Sequence, residues 1–175
     1  MQQNGKRLRL WGHGLPLNLS HFQNLIMAYQ DRIFFQAIAG TAKNPKGLPP
    51  VLASLLVAQA AHETGNFTSN LFRSFNNAFG YMYVPGALYQ VGAGSLADNG
   101  QPIAKYNSIE DSTKEVIDWI YRRVADGKFP KDLTTITNPN QYAELLKNAG
   151  YYGDTVSNYA AGLRKFFANV VQELE

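Results

Sequence analysis

Residues 50–62 read PVLASLLVAQAAH, a run that is apolar on nearly every side when wound as a helix. A helix without a polar face must be surrounded by other protein, so this segment is expected at the centre of a core. Pro50 suits the first turn, where its missing N–H goes unused. The run is well short of the ~20 residues that cross a bilayer. With 175 residues in total, the reading is one domain, 1–175, in which the remaining segments wrap a central helix. The next residue is Glu63. A carboxylate there lies at the negative end of the helix dipole, the wrong end for its charge. Such a misfit persists where solvent dilutes it or where chemistry uses it.

The wrapping segments can be read from their punctuation. Residues 1–18 form an irregular lead-in with the stretch WGHGLPLNLS. Ser20 can cap a helix to about Ala39, with Phe22, Leu25, Ile26, Tyr29, Ile33 and Ile38 at helical spacing and Gly40 as its stop. A proline-containing loop, TAKNPKGLPP, precedes the central helix. A short helix or turn is expected around Leu71–Phe75. Residues 81–107 turn glycine-rich, and Asn99-Gly100 is a strong hairpin signal, so two or three short strands are expected in a small lobe. Ser108 with Asp111 makes a capping pattern for a helix to about Ala125, with Ile109, Val116, Ile117, Ile120 and Val124 inward. Asn138-Pro139 opens another helix ending before Gly150. Asp154 or Thr155 starts the last, with Val156, Tyr159, Leu163, Phe166, Phe167, Val170 and Val171 apolar. The fold class is α+β, mostly α, with five or six helices and one small β-lobe.

Composition narrows the function classes. There is no cysteine, which excludes disulfides and thiolate metal sites. His13, His21 and His62 are too scattered for a metal site, so no metal and no cofactor are expected. The net charge of +3 comes without a long basic run; Lys6, Arg7 and Arg9 read as a terminal arm, and a nucleic-acid partner is not expected. Nor is a membrane span or a signal peptide. Ten tyrosines and ten phenylalanines suit either a core or a wet groove in which rings stack on a ligand.

Glu63 is the residue with the clearest chemical potential. The helix dipole and partial desolvation both disfavour its anion and push its pKa up, the condition a general acid needs near neutral pH. An acid on one wall of a cleft with a second carboxylate opposite is the arrangement of glycoside hydrolysis. Between Glu63 and Glu110 the one other acid is Asp98, which is also a good turn former ahead of Asn-Gly. Both readings of Asp98 stay open.

Four segments occur in order: AQAAHETGNFTSNLF, FNNAFGY, KYNSIEDS and AGYYGDTVSNYAAGL. Together they resemble the bacterial N-acetylglucosaminidases of glycoside hydrolase family 73, peptidoglycan hydrolases with the pattern A-Q-A-A-L-E-S-G-W-G, N-N-L-F-G, Y-x-S-x-x-x-S and Y-A-T-D-P-x-Y. The resemblance covers about residues 50–165. It implies a lysozyme-like fold with the β-lobe flanking a cleft, and Glu63 as the catalytic acid. Asn76, Asn77, Phe79 and Gly80 match the segment that shapes the floor. Tyr106 and Ser108 match Y-x-S. Tyr151 and Asp154 match Y-x-x-D, and the resemblance implies that Tyr151 lies in the cleft. Tyr159 matches the later tyrosine, two residues further on. Asp98 is the acid left for the second role. His62 stands where Leu is usual, either a substrate contact or a helix-end residue. Asn66-Phe67 replaces Trp-Gly. The lobe lacks the family's usual Trp, and Tyr81, Tyr83 and Tyr89 stand in as sugar-stacking candidates.

The implied activity is hydrolysis of a β-1,4 bond next to N-acetylglucosamine, with a peptidoglycan glycan strand as partner. A wall-binding module without turnover and a lytic transglycosylase are the alternatives. Action at the cell wall without a signal peptide leaves room for delivery by a phage virion or a secretion or conjugation assembly.

Overall fold

The computed structural model describes residues 19–174, with side chains from 23 to 170. The lead-in to residue 18 and the side chains of His21, Ser20, Phe22 and Val171 lie outside the described residues. Six helices and one hairpin follow in the order α1 (Leu19–Ala39), α2 (Pro50–Glu63), α3 (Asn70–Phe75), β1 (Gln90–Leu96), β2 (Pro102–Tyr106), α4 (Ile109–Ala125), a 3-10 turn (Leu133–Thr135), α5 (Pro139–Asn148) and α6 (Val156–Leu174).

Helix α2 is the axis. Every residue from Leu52 to Ala61 is buried, and α1 and α6 pack along it, with α5 behind α6 and α4 beside α1. Ile33 and Ala37 of α1, Val116, Ile117 and Ile120 of α4, Tyr142 and Leu146 of α5, and Leu163 of α6 close the core. The α1 stripe runs through Ile26, Tyr29, Ile33 and Ala37. Leu25 and Ile38, each one residue off that line and about 100° round the helix, are exposed instead of inward.

Local signals act as their chemistry dictates. Ser108 Oγ accepts from Asp111 N at 3.1 Å, Asn138 Oδ1 from Gln141 N at 3.0 Å, and Thr155 Oγ1 from Asn158 N at 3.2 Å, satisfying first-turn donors. β1 and β2 pair antiparallel around the 97–101 turn, with irregular register between Gln90 and Gly92 and again between Ala93 and Leu96. Met82 adds a single bridge to Ile103. No helix among the described residues is long and apolar enough to cross a membrane.

Two carboxylates of α4 moor the β-lobe. Glu115 accepts from Tyr106 Oη (2.7 Å) and Gln90 Nε2 (2.8 Å). Buried Asp118 accepts from Thr41 Oγ1 (2.6 Å), Asn44 Nδ2 (2.6 Å) and Tyr89 Oη (2.9 Å). Burial, followed by this bond, pushes the Tyr89 phenol up to about 12. Asp118→Ala strands three donors and is expected to lower stability by about 3 kcal/mol, taking about 1.5–3 kcal/mol for a bond to a charged group and allowing for non-additivity. Urea unfolding measures it.

Candidate active site

The end of α2 is built by a tight turn. Thr64 Oγ1 donates to Ala60 O (2.7 Å) and accepts from Phe67 N (2.8 Å), and Asn66 N bonds Ala61 O (2.7 Å). Asn66 and Phe67 both hold left-handed backbone, φ 58° and 62°. That conformation is an outlier for a ring as large as Phe and costs of order 1–3 kcal/mol. The Phe67 ring offsets it by burying itself against Tyr29 and Phe72. The strained turn presents Glu63 at the helix end.

Glu63 is open to solvent on one side and crowded by protein on the others. Burial raises its pKa above the ordinary carboxylate value, and a hydrogen bond from Tyr159 partly opposes the rise. Tyr159 Oη donates to Glu63 Oε1 at 2.6 Å. On the other flank lies Gly80, in left-handed backbone at φ 66°; a β-carbon there would come within 3.7 Å of Glu63 Oε2. Behind the acid stand buried phenols. Tyr142 Oη donates to Gln59 Oε1 at 2.6 Å, and Tyr151 Oη to Phe79 O at 2.6 Å. Burial raises the pKa of Tyr142, Tyr151 and Tyr81, with the Glu63 charge adding for the first two. The phenols therefore stay neutral and add no second negative charge beside Glu63. Gln59 Nε2 and Tyr81 Oη are buried without a partner.

The nine residues singled out by sequence fall in three groups. Glu63 and His62 share the helix end, and His62 packs edge-on to Tyr159, ring centroids 5.0 Å apart. Burial lowers the His62 pKa, with Asp154 opposing and Lys165 assisting. Asn77, Phe79, Tyr81 and Tyr151 form the wall beside and behind the acid. Asn77 is a buried clamp: Nδ2 donates to Tyr81 O (2.9 Å) and Ala104 O (3.1 Å), and Oδ1 accepts from Phe79 N (3.4 Å) and Tyr81 N (3.1 Å). Phe79 is 2% exposed, and the Tyr81 ring meets Tyr151 edge-on at 6.1 Å. The third group makes no described contact with Glu63, though Asp154 lies near enough to His62 to act on its charge. Asp98 is exposed in the hairpin turn and no described contact joins it to Glu63. Tyr83 is half-buried, its N–H on Pro102 O. Asp154 is exposed, its Oδ1 accepting from Thr155 N and Asn158 Nδ2. Among the described residues no three His, Asp or Glu side chains gather to hold a metal.

Sequence spacing places Tyr159 among the apolar positions of the last helix and the resemblance matches it to the later tyrosine, but neither shows that its hydroxyl meets Glu63. Its ring stacks on Tyr152 at 3.8 Å and 6°. Tyr159→Phe removes a bond that favours the ionised acid, so the Glu63 pKa is expected to rise further. The alkaline limb of kcat/KM, which reports the acid in the free enzyme, should move to higher pH in a pH–rate profile.

A carboxyl with raised pKa at the end of a buried helix has the property a general acid needs. The glucosaminidase family, described as mannosyl-glycoprotein endo-beta-N-acetylglucosaminidase, matches residues 40–171, and the chain belongs to it. The fold is the lysozyme-like fold of its structural neighbours. A peptidoglycan hydrolase from Sphingomonas sp. A1 is 23% identical over 84% of this chain and 92% of its own, TM-score 0.57. A C-terminally truncated glycoside hydrolase domain of FlgJ from Salmonella typhimurium is 22% identical over 84% and 98%, TM-score 0.57. A type VI secretion system effector–immunity complex from Pseudomonas protegens is matched at 20% identity over 83% and 92%, TM-score 0.52. No curated protein matches the chain in sequence.

Proposed function

We propose that the protein is an endo-β-N-acetylglucosaminidase that cuts the glycan strand of peptidoglycan at the cell wall, with Glu63 as general acid. The observation that carries this reading is the Glu63 carboxyl, raised in pKa by the protein packed around it yet exposed at the end of α2. Glu63 gives its proton to the glycosidic oxygen as the C1–O bond breaks and positive charge builds on the sugar ring. The substrate's own acetamide can take the part of a second carboxylate, a recognised exception to the two-carboxylate scheme. The acetamide oxygen of the sugar attacks C1, and the leaving chain departs with the Glu63 proton. Water then opens the cyclic intermediate and returns a proton to Glu63. The peptidoglycan substrate is supported by the family and by the hydrolase neighbour from Sphingomonas. Delivery as part of a secretion assembly is supported by the fold it shares with a chain of the type VI secretion effector–immunity complex from Pseudomonas protegens.

The test is digestion of purified sacculi with product masses. Muropeptides ending in reducing N-acetylglucosamine are expected. Anhydro-sugar products would assign a transglycosylase instead, and binding without release a wall-anchoring module.

A further inference from the structure

We propose that His62 is a positioning residue: its imidazole, seated on the bare backbone of Gly162, holds the Tyr159 ring so that the Tyr159 hydroxyl stays on Glu63. The inference rests on Glu63 being the acid.

The geometry is specific. A β-carbon built on Gly162 would fall 2.3 Å from His62 Cε1, 2.5 Å from Nδ1 and 2.8 Å from Nε2. The imidazole therefore occupies the space that any other residue at 162 would fill. Glycine inside a helix is about 0.5–1 kcal/mol less favourable than alanine, and Gly162 lies within α6. The sequence carries that penalty where the ring of His62 needs room.

Tyr159 is held from two directions. Its face lies on Tyr152, at 3.8 Å and nearly parallel, and His62 packs against it at 87°, centroids 5.0 Å apart. Stacking resists separation of two rings but leaves sliding within the plane nearly free. His62, itself fixed against the Gly162 backbone three residues along the same helix, is the second contact that limits where the Tyr159 ring can go. Sliding would carry the Tyr159 hydroxyl away from Glu63 Oε1, where it now sits at 2.6 Å. The charged neighbours acting on His62 are Asp154 and Lys165, of opposite sign, so neither dominates the placement of a neutral ring.

The experiment compares kcat, KM and the pH profile on sacculi for His62→Ala, Gly162→Ala, the double variant and Tyr159→Phe, with melting curves to confirm folding. Each single variant is expected to lower kcat about 10-fold or more, the scale on which small misplacements act, with KM within about twofold. Each should move the alkaline limb in the same direction as Tyr159→Phe. The double variant should be no worse than the worse single, because one shared contact is lost. Gly162→Ala strains a packed interface; if it fails to fold, His62→Ala, which only vacates space, carries the test alone. An unmoved limb in folded His62→Ala, or a Gly162→Ala variant with wild-type kinetics, overturns the proposal. Glu63→Gln run alongside separates the two readings. If it is inactive while the His62→Ala limb stays put, only the positioning role falls; if it is fully active, the acid assignment falls with it.

Discussion

Glu63→Gln is expected to abolish clearing of sacculi, with a loss of about 10²–10⁴-fold from the missing proton donor alone, while the protein melts no lower than wild type at neutral pH. Both halves follow from the same environment. Gln keeps the volume, and its Oε1 can still accept from Tyr159 Oη, so the 2.6 Å contact survives without the acid proton. The Glu63 pKa is raised in the fold, so the folded state binds a proton more tightly than the unfolded chain. Its contribution to stability is present below the ordinary glutamate pKa and is lost as pH rises through the raised value. Wherever Glu63 is ionised it works against folding, and a neutral amide relieves it. Turbidity clearing and thermal melts on one preparation measure both.

Asn77→Ala is expected to act through structure. Four hydrogen bonds tie the buried Asn77 amide to the backbone of Phe79, Tyr81 and Ala104. At about 0.5–1.5 kcal/mol each, and with carbonyls left unpaired, the loss is about 2–4 kcal/mol in urea unfolding. The clamp also sets the segment that carries Gly80 against Glu63 Oε2 and the Phe79 carbonyl against Tyr151. Activity should therefore fall even at temperatures where the variant remains folded. In Asn77→Asp a carboxylate oxygen would face the Tyr81 and Ala104 carbonyls, and a loss at least as large is expected.

What could be read from sequence was local. The apolar run of α2, the caps at Ser108 and Asn138, and the Asn99-Gly100 turn each follow from interactions within a few residues, and each element stands where its signals put it. The likeness of four ordered segments to one hydrolase family carried the acid. The partners of that acid were harder to see. Tyr159 lies 96 residues from Glu63, and in a pattern of apolar spacing it looks like any other core ring. Tyr81 and Tyr151, candidates for contact with sugar and with the acid, turn out as buried phenols whose hydroxyls face protein. Asn77 reads in sequence as part of a cleft floor, and its four bonds are to backbone that only the fold brings close. Gly162 offered one usable signal, a glycine inside a strong helical pattern, which marks a close approach without saying what approaches.

A ¹³C NMR titration of the Glu63 side-chain carboxyl, set beside the pH profile of kcat/KM, tests the general-acid assignment most directly. The expected result is a Glu63 pKa above the ordinary glutamate value that coincides with the alkaline limb of activity, with both moving upward together in Tyr159→Phe. A carboxyl titrating at or below the ordinary value, or an alkaline limb that stays fixed while the Glu63 titration moves, would contradict it.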